Sequence, residues 1–340
     1  STNDGNNWTA VNNELTSTGI SSFAIDGTNV FAGTNGGVFL SSNNGGLWTS
    51  VINGLTNTNV LSLAISGTNI FAGTNASVFL STNNGGLWTA ANAGCYSGQI
   101  QALAISGINI FAGAPNNGVY LSSNNGGLWT SVINGLTNID VHSLTVSGTT
   151  IFAGTSGGVF ISTNNGTLWT AVNNGLTNLN INSLLINGTT IFAGTNDGVF
   201  YSNNMGTSWS SFNNGFPANT VVSALTISGT YIFAGITLFP RGVWRRPLSE
   251  ATGIVEHHDY NSFNLYPNPF SSTTTLQTDK VLKDATLTVY NSSGQQVKQI
   301  KNISGQTITF RRDNLPSGLY FICLIQDNKV ISSDKLVITD

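Results

Sequence analysis

Few side chains in this 340-residue sequence could do chemistry. In its first 250 residues the acids are Asp4, Glu14, Asp26, Asp140, Asp197 and Glu250, and the arginines are Arg241, Arg245 and Arg246. Glycoside hydrolysis needs two carboxyls facing one another across a scissile bond. Glu14 and Asp140 fall at equivalent loops of different repeats, Asp26 in a turn and Asp197 in a further loop. Single acids at such positions read first as solvated turn formers. His142 follows Asp140 by two residues, but no Gly-x-Ser-x-Gly context offers it a nucleophile. His257-His258-Asp259 lacks further ligands for a metal. Cys95 and Cys323, one in each half of the chain, build neither a disulfide framework nor a metal cluster. No catalytic residue, metal or cofactor is expected.

What must position these residues is a repeat. Trp8, Trp48, Trp88, Trp129, Trp169 and Trp209 recur at spacings of 40 or 41. Each unit offers four short strands, as in Leu61–Ile65, Ile70–Ala72, Val78–Leu80 and Leu87–Thr89, separated by Gly, Asn and Ser turns. Four strands in about 40 residues make a β-propeller blade. Each strand type occurs six times, but the first Trp strand, at Trp8, precedes all the others, and the last repeat lacks its own. The N-terminal strand is therefore expected to complete the last blade and close a six-bladed ring, removing two sheet edges. Seven or eight blades is the alternative if further repeats lie upstream. The chain opens inside a repeat, so its N-terminus reads as processed or truncated.

Composition marks a second domain. Only 7% of residues are charged, and the net charge of −3 gives no footprint for nucleic acid. Every lysine lies beyond residue 250. The reading is a propeller over 1–249, a linker over 250–262 and a small Ig-like β-sandwich over 263–340, making the chain all-β. No apolar run is long enough to span a membrane.

Each repeat carries Ser-x-Asn-x-Gly-x-x-Trp, with Asn at Asn3, Asn43, Asn83, Asn124, Asn164 and Asn204. This resembles the Asp-box, or bacterial neuraminidase repeat, with Asn at the usual Asp position. Asn keeps the acceptor that a tight turn needs, so these residues and their tryptophans read as structural. The resemblance implies boxes on the outer rim. Sialidases of this family clamp a carboxylate with three arginines from separate blades. Here Arg241, Arg245 and Arg246 lie within one short segment, which excludes that clamp. A glycoside hydrolase or lyase of Asp-box type stays as an alternative, as does a passive surface-layer component.

The loops that break the repeat are the candidate ligand-binding positions: Tyr96, Asp140, His142, Asp197, Phe239 and Arg241, on an amide-rich face suited to glycan or protein. Beyond residue 262 the blocks around Pro267-Asn268-Pro269, Gly294, Gly318, Tyr320 and Lys335 resemble the type A C-terminal sorting domain of the type IX secretion system. That resemblance implies a Bacteroidetes-like bacterium, Sec export, recognition by the type IX machinery, and a destination outside the cell or on its outer surface. The expected function is an exported binding or adhesion propeller.

Overall fold

The computed structural model describes residues 1–217, 219–237, 241–252, 264–291, 295–326 and 329–340. It divides into two compact units, Ser1–Ile254 and Val255–Asp340.

Among the described residues the first unit holds six antiparallel sheets that follow one another along the chain. Sheet 2 is representative: Val60–Ser66 pairs with Asn69–Thr74, that strand with Val78–Ser81, and Val78–Ser81 with the two residues Thr89–Ala90. The first strand of each sheet packs on the first strand of the next. Bulk on one sheet meets glycine on its neighbour. A methyl group on Gly33 would lie 2.7 Å from Val60 Cγ1, and one on Gly113 the same distance from Val141 Cγ1. Glycine thus serves as the socket for a β-branched knob from the following sheet. In sheets 1 to 5 the phenylalanine before the socket, such as Phe71, Phe111 or Phe152, is fully buried.

Sheets 1 to 5 have four strands each, but sheet 6 has three: Val222–Ser228, Tyr231–Ile236 and Gly242–Pro247. The expected pairing of the Trp8 strand with this sheet is not formed. Its place at the outer edge is taken by other contacts. Arg246 Nη1 donates to the Phe212 carbonyl at 2.8 Å, where in sheet 5 the Trp209 indole donates to Val172 at 2.7 Å. A one-turn helix, Ser249–Thr252, follows and buries Ala251 beside Phe192 and Phe212. The first unit therefore continues past the boundary expected at residue 250, because this turn is part of its packing.

In the second unit one hydrogen-bonded sheet holds all five described strands. Its centre is the long Thr273–Asn291. Near its start this strand pairs with Asn264–Tyr266, and near its end with Gly318–Gln326, while Gln296–Arg311 runs alongside. Register shifts between Gln277 and Leu287 bend the central strand, so both halves turn onto one core that includes Leu276, Leu287, Phe310 and Leu336. The strands expected to form a small β-sandwich are thus hydrogen-bonded into a single bent sheet. Lys329–Ile338 forms the last strand, and Phe270 bridges to Ile338, bringing the two ends of the sheet together.

Candidate functional site

The Ser-x-Asn-x-Gly-x-x-Trp turns are built alike. In sheet 2, Asn83 Oδ1 accepts from the Ser81 hydroxyl at 2.9 Å and from the Leu87 amide at 2.8 Å, while Ser81 Oγ accepts from the Gly85 amide at 2.9 Å. The next two residues, Asn84 and Gly85, are left-handed (φ 56° and 84°), which suits Asn and Gly. The Trp88 indole donates to the Val51 carbonyl of the preceding sheet at 2.8 Å. Asn83 accepts both of its bonds through the one amide oxygen, so Asn serves here as well as Asp. Asn43, Asn124, Asn164 and Asn204 accept in the same way, and Trp48, Trp129, Trp169 and Trp209 donate in the same way. Asn3 also closes its turn, accepting from the Asn7 amide at 3.0 Å, but Trp8 is 64% exposed where Trp88 is 2%.

Sequential antiparallel strands place two sets of connections on opposite faces. The Trp turns share one face with the first-to-second strand turns. The second-to-third turns share the other with the connections into each new sheet. This second face carries the residues that break the repeat. Just inside it, at the start of the first strand, sheets 3, 4 and 5 present Gln101, His142 and Asn182, where sheets 1, 2 and 6 have Ser21, Leu61 and Ser223. These side chains join sheet to sheet and strand to turn. His142 Nδ1 lies 3.4 Å from Gln101 Oε1, and its Nε2 lies 2.9 Å from Ser156 Oγ and 3.4 Å from Asp140 Oδ2. Ser156 donates to Asp140 Oδ2 at 2.6 Å. Asn182 Nδ2 donates to Asn196 Oδ1 at 3.0 Å and to the Val222 carbonyl of sheet 6 at 3.2 Å. All are half-buried, at the wet edge of the sheets.

The Ser156–His142–Asp140 cluster is not a nucleophilic relay. A relay sets the carboxylate against the ring nitrogen opposite the serine. Here serine and carboxylate meet at the same nitrogen, and the serine hydroxyl donates to the carboxylate. Among the described residues no three His, Cys, Asp or Glu side chains gather as metal ligands.

Of the expected ligand residues, Asp140 and His142 are in contact. Asp197 lies in the second-to-third turn of sheet 5, where its carboxylate accepts from the Asn219 amide at 3.2 Å. Arg241 is on the corresponding connection of sheet 6, its Nε donating to the Thr237 carbonyl at 3.0 Å. Phe239 lies outside the described residues. Tyr96 is not part of the row. It packs with Cys95 and Tyr120 in the apolar cluster around Trp129. Cys95 stands where Leu55 and Leu136 are buried in other repeats, and burial pushes its thiol up to about 11. Tyr120 is also raised, first by burial and then by Cys95 and Tyr96. The break in the third repeat is thus largely a repacking. Gln101, Ser156, Asn182 and Asn196 were not among the expected residues. Comparing the residue after each strand-opening Val or Ile across repeats would have found the first and third.

In the second unit Asn268 clamps the last strand. Its Oδ1 accepts from the Val337 amide at 2.9 Å, and its Nδ2 donates to the Lys335 carbonyl at 2.8 Å. The flanking Pro267 and Pro269 both follow cis peptide bonds. The Tyr320 hydroxyl, on a buried ring, donates to the Pro316 carbonyl at 2.8 Å, two residues before Gly318. Arg312 gathers the carbonyls of Leu315 and Thr339. Gly294 lies outside the described residues.

Residues 264–339 match the secretion system C-terminal sorting domain family, and residues 109–234 match the DUF6242 beta propeller domain. No curated protein sequence matches the chain. Three solved structures are similar in fold. YCF48 bound to a D1 peptide aligns with a TM-score of 0.54 at 12% identity, over 67% of this chain and 78% of its own. PorZ, a surface component of the type IX secretion system of Porphyromonas gingivalis, aligns with 0.53 at 10% identity, over 95% of this chain and 59% of its own. The GH74 enzyme of Niastella koreensis aligns with 0.51 at 20% identity, over 68% of this chain and 36% of its own. No helix among the described residues is long and apolar enough to cross a membrane. The chain is thus a β-propeller followed by a type IX secretion sorting domain, which directs it to the cell surface or the extracellular space.

Proposed function

We propose that the propeller binds an extracellular glycan on the face that carries Gln101, His142 and Asn182. One observation carries this reading: three consecutive sheets bear hydrogen-bonding side chains at one position of the first strand, linked to Asp140, Ser156 and Asn196. Amides, a hydroxyl and an imidazole in a row offer paired donors and acceptors without a strong charge, as sugar hydroxyls require. The Ser-x-Asn-x-Gly-x-x-Trp turns serve as Asp-boxes that hold the scaffold from the opposite face. The C-terminal unit engages the type IX machinery, with Asn268 and Lys335 at the clamp on its last strand.

The test is a glycan array with the full chain and with Gln101→Ala, His142→Ala and Asn182→Ala, using Tyr96→Phe as a control. Binding of one glycan class, weakened at least tenfold in the three variants and kept in the control, is the expected result. An array without binders overturns the glycan reading. Release of reducing ends that stops in Asp140→Asn also overturns it, in favour of a hydrolase.

A further inference from the structure

The N-terminal segment stands where a further sheet would have its outer strand. On one side it meets sheet 1 as every outer strand meets the next sheet. The Trp48 indole donates to the Val11 carbonyl at 2.7 Å and the Trp48 amide to Asn13 at 3.0 Å, as Trp88 does to Val51 and Asn53. On the other side it meets sheet 6 as the Trp turns of sheets 2, 3 and 5 meet the sheet before them. A methyl group on Gly5 would lie 3.0 Å from Phe233, as one on Gly126 would lie 3.2 Å from Phe71. Arg245 adds hydrogen bonds to the Asp4 carbonyl and to Asn6 Oδ1.

Inside this strand is a cleft of about 840 Å³ lined by the first strands of sheets 1 and 6, Trp8 and Val243. Its walls are unfinished halves of the interface repeated elsewhere. Ile20 is 38% and Phe23 54% exposed, whereas their counterparts Val60 and Leu63 are 0% and 7%. Gly235, the socket of sheet 6, has no knob: a methyl group there would meet nothing nearer than Ala224 of its own sheet, at 3.6 Å.

We propose that this cleft seats three more strands of the same repeat, which complete a seventh sheet by pairing their third strand with Thr9–Ala10. In sheet 2 the third strand pairs Phe79 with Ala90 and Leu80 with Thr89, and Ala10 and Thr9 hold the corresponding places. The occupant is a further copy of the repeat, because the two bare walls are the two halves of the contact that the repeat makes with itself, and Ser1 forms the first residue of the turn that follows a third strand. Its first strand must expose a Val or Ile and a Leu toward sheet 6. Its second must offer sheet 1 a glycine for Ile20 and Phe23.

The test joins a copy of residues 52–80 to Ser1 of the full chain, with a scrambled copy as control. Hydroxyl-radical footprinting reads side-chain access. Oxidation of Trp8 and Phe23 is expected to slow at least fivefold in the extended chain and not in the control, while Tyr266 stays unchanged. The extended chain stays monomeric, and its melting temperature rises by about 5 °C or more. Unchanged oxidation in the extended chain overturns the proposal. It is also overturned if Trp8 and Phe23 of the unextended chain oxidise as slowly as Trp129 and Phe111, in a monomer through a closed six-sheet ring, or in a dimer through a second copy.

Discussion

Replacing a single indole by a phenyl ring distinguishes the interior turns from the first one. In Trp129→Phe the Ala91 carbonyl loses the donor that reaches it at 2.8 Å, in a place where Trp129 is 3% exposed. Leaving a buried carbonyl unpaired costs about 1–3 kcal/mol. The smaller ring vacates roughly 40 Å³, which at about 24 cal/mol per Å³ adds about 1 kcal/mol. The sum is about 2–4 kcal/mol. Trp8→Phe alters a side chain that is 64% exposed and costs about 0.5 kcal/mol or less. All seven tryptophans lie before residue 255, so urea unfolding followed by indole fluorescence reports on the first unit alone. The expected midpoint shift is about 1 M urea for Trp129→Phe and close to zero for Trp8→Phe. Equal shifts for the two variants would refute the reasoning, because they would mean that Trp8 is packed like the others.

Gly113→Ala and Gly235→Ala make a second matched pair. The first forces a methyl group to within 2.7 Å of Val141 and should cost about 1–3 kcal/mol. The second meets only ordinary contacts, at 3.6 Å and beyond, and should stay within about 0.5 kcal/mol of the parent in the same urea assay. Asn268→Ala removes both clamps on the last strand, so exchange of the Val337 amide should accelerate at least tenfold, read by mass spectrometry. Cys95, with its thiol raised to about 11, should react with iodoacetamide at pH 7.5 at least tenfold more slowly in the folded chain than in urea. Because the folded value lies above the ordinary 9.0, Cys95 also favours the folded state below pH 9. That contribution fades as pH rises towards about 11, which a pH series of unfolding midpoints would show.

Much of the architecture was legible because strand, turn and repeat are local properties. The tryptophan spacing set the unit, and the turns between strands followed from Gly and Asn at positions where the backbone is left-handed. The outcome at the first strand was not legible. Counting strand types shows that the Trp8 strand and sheet 6 are each incomplete, but not that one fills the other. That depends on which phenylalanine Gly5 rests on, a contact between residues 228 positions apart with no mark in either segment. The same limit explains the site. Asp140 and His142 are neighbours in sequence and were read together, whereas Ser156 and Gln101 reach them from another turn and another sheet. In the second unit the strands were legible from alternation. The bend that keeps them in one sheet depends on register shifts near Leu282 and Ala285, which alternation does not encode.

The interface between sheets is one contact used again and again, a glycine receiving a Val or Ile of the next sheet. Any unit therefore fits beside any other. Duplication or loss of a 40-residue stretch in the gene would need no compensating change at the new junction, because both partners arrive already matched. Copy number can thus drift by unequal recombination while the fold survives each step. The outer edge of sheet 6 is different: Arg246 stands where the indole of this sheet's own Trp turn would donate, and Ala251 packs beside it, so a unit copied in at this edge would not arrive already matched.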